Sequence, residues 1–198
     1  MKTYIMSKRT QGFSWKNIPF LSIDNLLWSE PVPISAKAQI CYDDAALYVR
    51  LQAVEPNIRA ELTNAFDEPC ADSCLEFFFA PIPGDDRYFN IEFNPNLCMY
   101  LGMGYNLKSN VRMFPQENPF SPVASRTDDG WIVEYSIPHD FVRQFFPEYA
   151  PISGNSIRAN CYKCGDLTVQ EHYLAWSPID LPTPCFHCPQ FFGTMHFA

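Results

Sequence analysis

At 198 residues, with a formal net charge of −8 and a pI near 4.9, the chain is long enough for one large core and too acidic to favour nucleic acid or an anionic membrane. No apolar run approaches the ~18 residues of a spanning helix, and the basic start MKTYIMSKRTQGFSW lacks a continuous apolar stretch. Neither a membrane span nor a signal peptide is therefore expected, which accords with a cytoplasmic location. With 18 Pro against 8 Gly, many short segments joined by rigid connections are expected, and no repeat or linker divides the chain, so residues 1–198 read as one domain.

In chain order, residues 1–30 read as an edge strand and then loop. Ala36–Cys41 and Ala46–Val54 form a strand pair about an Asp43-Asp44 turn. In the second strand Leu47, Val49, Leu51 and Ala53 alternate with Tyr48, Arg50 and Gln52, the pattern of a half-buried strand. Pro56 ends it. Residues 57–71 are loop with at most one helical turn. Asp72–Asn94 (DSCLEFFFAPIPGDDRYFNIEFN) is two apolar-aromatic runs about a Pro-Gly-Asp-Asp turn, a hairpin signal. Cys98–Tyr105 adds a strand, 112–125 is broken by proline, and Trp131–Ile137 alternates again before one short helix over 139–146. Ser156–Tyr162 and His172–Trp176 are late strands, and the tail is loop followed by a closing strand. Strands with turn signals and almost no helical period predict an all-β, antiparallel β-sandwich of DOMON- or immunoglobulin-like type.

Parity divides the hairpin into two faces. Leu75, Phe77, Phe79, Phe89, Ile91 and Phe93 make a core face. Glu76, Asn90, Glu92 and Asn94 make a polar row in mid-sheet, where charge is costly unless paired or hydrogen-bonded. Ser156–Tyr162 repeats the pattern, with Arg158 and Asn160 on one side. A face joining Glu76, Asn90, Glu92, Asn94, Arg158 and Asn160 offers planar donors and acceptors suited to sugar hydroxyls, with Arg158 satisfying a carboxylate and Trp176 supplying an aromatic platform.

The hairpin DSCLEFFF…YFNIEFN, the strand RANCYKCGD and the ending WSPI…FHCPQFFG resemble, in order, the family 9 carbohydrate-binding modules, in particular a divergent bacterial, DOMON-like branch. The likeness spans residues 36–197. It implies a β-sandwich that binds mono- or oligosaccharides without cleaving them, gripping terminal sugars between two tryptophans. Glu76 matches the acid of the family's D-x-x-x-E motif and Trp176 the later tryptophan. The earlier tryptophan falls near Cys70, where none stands, and Phe66 is the nearest aromatic. The resemblance also implies that calcium can be held, although no oxygen-rich run names a site.

Other chemistries are open at this stage. Cys161-x2-Cys164 and Cys185-x2-Cys188, with 20 residues between the pairs, have zinc-site spacing, with His187 as an alternative ligand. Reduced thiols packed as small apolar residues, Cys41, Cys74 and Cys98 among them, are the simpler reading. Glu76 and Glu92 could pair as glycosidase carboxylates, Cys185 or Cys188 with His187 as a nucleophile pair, and Met99, Met103 and His172 as haem ligands. Binding without catalysis is the expectation.

Overall fold

The computed structural model describes residues 2–10 and 12–198. Among them lie fourteen strands: β1 (Thr3–Lys8), β2 (Leu21–Ile23), β3 (Asn25–Leu27), β4 (Ser35–Tyr42), β5 (Ala46–Val54), β6 (Cys74–Ala80), β7 (Tyr88–Phe93), β8 (Met99–Gly104), β9 (Val111–Arg112), β10 (Val123–Arg126), β11 (Gly130–Pro138), β12 (Ser156–Gly165), β13 (His172–Ala175) and β14 (Gly193–Phe197). One short α-helix, α1 (His139–Arg143), follows β11. The expected β-sandwich is the observed fold.

One sheet runs β10-β11-β5-β4, with β2 beside β4; the other runs β14-β12-β6-β7-β8-β9, with β13 and β3 extending from β12. β1 joins them. Its Thr3–Met6 half pairs in parallel with β14, and Ser7 and Lys8 pair in parallel with β4. The edge strand expected at the N-terminus is thus an interior strand. β2 and β3, unexpected from sequence, are three-residue strands whose pairing comes from β4 and β13, so no local period marks them.

The hairpin forms as its sequence dictates. Gly84 adopts φ 86° and Asp85 N–H donates to Ile82 O at 3.1 Å, a turn in which Pro83 and Gly84 are the favoured central residues. Leu75, Phe77, Phe79, Phe89, Ile91 and Phe93 pack into the core between the sheets with Leu47, Val49, Leu51, Trp131 and Val133. Phe89 meets Phe141, Phe145 and Phe146 from α1 and the turn after it, at ring separations of 5.4–5.5 Å, so the helix plugs one end of the sandwich. Trp176 also belongs to this core. It is only 3% exposed, and a Cβ at Gly193 would come within 2.6 Å of its ring. The platform expected at Trp176 is corrected: the ring is packing, because the chain beyond β13 turns inward over β14.

The inner face also holds a charged cluster. Lys163 on β12 is fully buried, and its Nζ lies 3.2 Å from Glu55 Oε2. Ser73 Oγ donates to Glu55 Oε1 at 2.9 Å, and Trp131 Nε1 to Oε2 at 3.4 Å. Lys163 also reaches Cys164 O (2.8 Å) and His172 Nε2 (2.7 Å). Burial and the Lys163 charge push His172 down to about 4, so its ring is neutral, with Nε2 accepting from Lys163 and Nδ1 donating to Gln170 O. Both ring nitrogens are occupied, while Met99 and Met103 pack against the core from β8. Met99, Met103 and His172, the alternative haem ligands, are therefore packing and hydrogen-bonding residues.

Removing one partner of such a pair strands a buried charge. Glu55→Ala should lower unfolding free energy by about 3–5 kcal/mol in urea titrations. Lys163→Met in the Glu55→Ala background should recover part of that loss; additive losses would mean that the two residues are not coupled.

Candidate functional site

The outer face of β6, β7 and β12 faces protein instead of water. All seven residues of β6 and all six of β7 are buried. The reason is a second apolar cluster, in which Phe78, Tyr88 and Tyr162 meet Leu27 from β3 and Ile179, Cys188 and Phe192 from the chain after β13. Phe186 stacks on Tyr162 at 4.1 Å, and Arg158 ties the tail down by donating to Pro189 O. This cover is incomplete. A cavity of about 350 Å³ remains between the tail and the sheet, floored by Glu76, Phe78, Glu92 and Cys164 and walled by Trp28, Tyr100, Tyr173, Phe186 and His187. Glu68, Cys70 and Asp166 border it.

Glu76 and Glu92 are register partners on adjacent antiparallel strands, which places their Cβ atoms roughly 4.5–5.5 Å apart. Burial raises Glu76 to about 7, and burial with the Glu76 charge holds Glu92 well above its usual value. Glu92 is oriented by a relay: Tyr100 Oη donates to Asn110 Oδ1 (3.1 Å), Asn110 Nδ2 to Asn90 Oδ1 (2.8 Å), and Asn90 Nδ2 to Glu92 Oε1 (2.8 Å). Gly102 makes room for it, since a Cβ there would collide with Asn90 and Asn110. Glu76 Oε1 accepts from Cys164 Sγ at 2.9 Å.

The walls are equally fixed. Trp28 stands at φ 47°, a backbone conformation that bulky residues rarely adopt and that clusters at ligand sites. Its Nε1 donates to Leu181 O at 2.6 Å, and Tyr173 and Phe186 hold its ring at 5.9 and 5.8 Å. Tyr88 Oη lies 2.7 Å from His187 Nδ1. Burial lowers His187 to about 4, so the neutral ring accepts from the tyrosine at Nδ1 and carries its proton on Nε2. Arg112 packs over Tyr100, 4.4 Å from the ring centre, and binds Glu68 at 2.9 Å and Asp67 O at 2.6 Å, fastening the 65–68 loop to the rim.

Of the residues expected from sequence, Glu76 and Glu92 line the cavity and Asn90 positions Glu92. The others lie elsewhere. Asn94 closes the β7–β8 turn, accepting from Cys98 N (2.8 Å) and donating to Asp72 (2.9 Å). Asn160 is spent on Ser177, donating to its O at 2.9 Å and accepting from its N at 2.8 Å. Arg158 pairs with Asp86 at 3.1 Å and satisfies neither glutamate; it sits opposite Ala80, about 13 Å along β6 from Glu76. Phe66 is 76% exposed and packs at a tilt against Phe114, outside the cavity lining, whereas Cys70 does border it.

The zinc set also separates. Three residues along a strand reverse the face, so Cys161 points into the core while Cys164 points into the cavity. Cys188 Sγ donates to Cys185 O, and its thiol is pushed up to about 12, chiefly by burial, so no Cys188 thiolate faces His187. Among the described residues, the grouping of three Cys, His, Asp or Glu ligand atoms is Cys74, Glu76 and Cys164. Two sulfurs suit calcium poorly, a cation that takes about six to eight oxygens. Trp28, Tyr100 and Tyr173 were missed by sequence reasoning. The Tyr100–Glu92 register was within reach of strand parity, but nothing local aims Trp28 at the hairpin.

A family model for carbohydrate-binding family 9 matches residues 10–197. Among solved structures, a candidate carbohydrate-binding protein from Bacteroides uniformis is 27% identical, with a TM-score of 0.85 over 100% of this chain and 99% of that one. Two structures of a family 9 carbohydrate-binding module from Caldicellulosiruptor kristjanssonii, one in complex with glucose and one with cellotriose, are 16% identical. Their TM-scores are 0.70 and 0.68, over 100% and 99% of this chain and 96% and 93% of theirs. No curated protein matches the chain.

Glu76 carries a folded-state value above its unfolded one, so its stabilising contribution is complete below about pH 4.5 and is lost as pH rises through about 7. The stability of the native sequence relative to Glu76→Gln should therefore fall by a few kcal/mol between about pH 4.5 and pH 8. Taking this difference cancels the opposing histidines. A pH-independent difference in urea titrations would show that Glu76 is ionised throughout.

Proposed function

The chain belongs to carbohydrate-binding family 9, and from that premise we propose that the cavity between β6, β7 and the tail binds a terminal sugar unit without cleaving it. The observation that carries this is the joining of a rigid aromatic wall, Trp28 with Tyr173 and Phe186, to a floor of two oriented carboxyls. A pyranose ring has apolar C–H faces and a polar rim, so it needs both kinds of surface at right angles. Trp28 supplies the first. Glu76, raised by burial to about 7, can both accept from and donate to hydroxyls near neutral pH. Glu92, held above its usual value by burial, presents a second carboxyl. His187 Nε2–H adds a donor, and Tyr100 Oη, its proton given to Asn110, adds an acceptor.

The volume, about 350 Å³, is at the low end of the ~300–1,000 Å³ of small-molecule sites, which favours one or two sugar rings over a long chain. The environment of the carboxyls supports binding over glycoside hydrolysis. Hydrolysis needs two carboxyls pushed apart, one kept ionised and one protonated, whereas here burial raises both.

Calorimetric titration should detect glucose binding, with cellotriose within roughly tenfold in Kd because only one end enters. Trp28→Ala should weaken binding by about 2 kcal/mol or more, roughly thirtyfold, with the fold retained. Trp176→Ala should instead cost about 3–5 kcal/mol of stability. Loss of sugar binding in folded Trp176→Ala but not in Trp28→Ala would place the site elsewhere.

A further inference from the structure

At the floor of the cavity, two thiols that sugar binding does not use lie beside Glu76: Cys164 from the lining and Cys74 beneath it. Cys74 and Cys164 are register partners on β6 and β12, and Glu76 is two residues from Cys74 on the same face. Their Sγ and carboxylate oxygen atoms all lie within 4.8 Å of one another, and all three residues are buried. A tetrahedral zinc site with Zn–S near 2.3 Å places its ligands roughly 3.5–4 Å apart, so this triangle closes on an ion with side-chain rotations alone.

The surrounding charges favour a cation. Glu68, Glu76, Glu92 and Asp166 border the same cavity, and among the described residues only Glu68 has an arginine partner. Lys163, the one lysine buried nearby, is on the opposite face of β12 and is committed to Glu55. Two thiolates are soft donors that select zinc over magnesium or calcium, and the carboxylate oxygen is a harder ligand that zinc also accepts. Burial raises the Cys74 thiol above its ordinary value, and the hydrogen bond with Cys74, followed by burial, raises that of Cys164, so a bound dication would be what deprotonates them.

We propose that Cys74, Glu76 and Cys164 form a zinc site, Glu76 and Cys164 from the floor of the cavity and Cys74 from beneath it, with the fourth position facing the cavity and open to water. Two protons leave from the thiols, and a third from the Glu76 carboxyl in the fraction of molecules that carry it, and no redox change is involved. The inference stands whether or not the cavity takes a sugar.

Cobalt(II) is the probe. Added to the full chain, reduced with a phosphine and kept free of oxygen, it should give thiolate-to-cobalt charge-transfer and tetrahedral d–d bands saturating at about one equivalent, and zinc should abolish them. The bands should vanish in Cys74→Ser and in Cys164→Ser and persist in Cys185→Ser. Glu76→Gln, which keeps the shape of the side chain, should weaken cobalt by roughly tenfold or more, and it carries the test if either serine variant fails to fold. Absent bands in the folded native chain, bands that survive both serine substitutions, or a Cys74–Cys164 disulfide that reductant cannot open would each overturn the site. Glucose titration of chelated and zinc-loaded protein is read separately, so a failed sugar reading and a failed metal reading are told apart.

Discussion

The central strands β6, β7 and β12 are buried on both faces, and most of what is distinctive here follows from that constraint. Antiparallel sheets commonly leave one face to water, where a row such as Glu76, Asn90 and Glu92 would be a solvated surface. Here the tail lies across that face, with Phe186, Cys188 and Phe192 packed on its aromatic residues Phe78, Tyr88 and Tyr162. Carboxyls placed there cannot keep ordinary proton affinities. They must be hydrogen-bonded by neighbours, as Glu92 is through Asn90, or share a site with other titratable groups, as Glu76 does with Cys164. A cover that fits imperfectly then leaves a cavity lined by these groups.

β12 shows how two polar environments can be kept apart by one strand. Its odd positions carry Cys161 and Lys163 into the space between the sheets; its even positions carry Tyr162 and Cys164 to the cavity. Lys163 is neutralised by Glu55 on the inside and so contributes no salt bridge to Glu76 on the outside. The inner ion pair and the outer carboxyls thus sit back to back across one backbone, and the cavity keeps an excess of acidic groups.

The aromatic wall has a different origin. Trp28 follows β3, Tyr173 lies on β13 and Phe186 in the tail; β3–β13 pairing brings the first two together, and Phe186 packs on Trp28 and on Tyr162 of β12. The backbone of Trp28 is held in a rarely used conformation by its indole hydrogen bond and its ring neighbours. A surface assembled this way is rigid before any ligand arrives, which lowers the ordering cost of binding.

The sequence by itself determined the strands that have a period and the turn that has a signature. Ala46–Val54 matches its strand end to end, and the hairpin and its two faces follow from alternation and from Pro83-Gly84. Parity also found Glu76, Asn90 and Glu92 as an unusual polar row, and the motif likeness found the family. Only the tertiary structure decided which polar residues meet. Parity assigns a face but not a position along the strand, so it could not separate Arg158, opposite Ala80, from Tyr162, opposite Glu76. Nor could it tell that Trp176 is enclosed while Trp28 is presented. Both are single aromatics beside short strands, and their exposure depends on how the tail folds across the sheet, a long-range packing choice with no local period. The same limit made Cys161 and Cys164 look like a ligand pair: their spacing suits a turn, but on a continuous strand it points them to opposite faces.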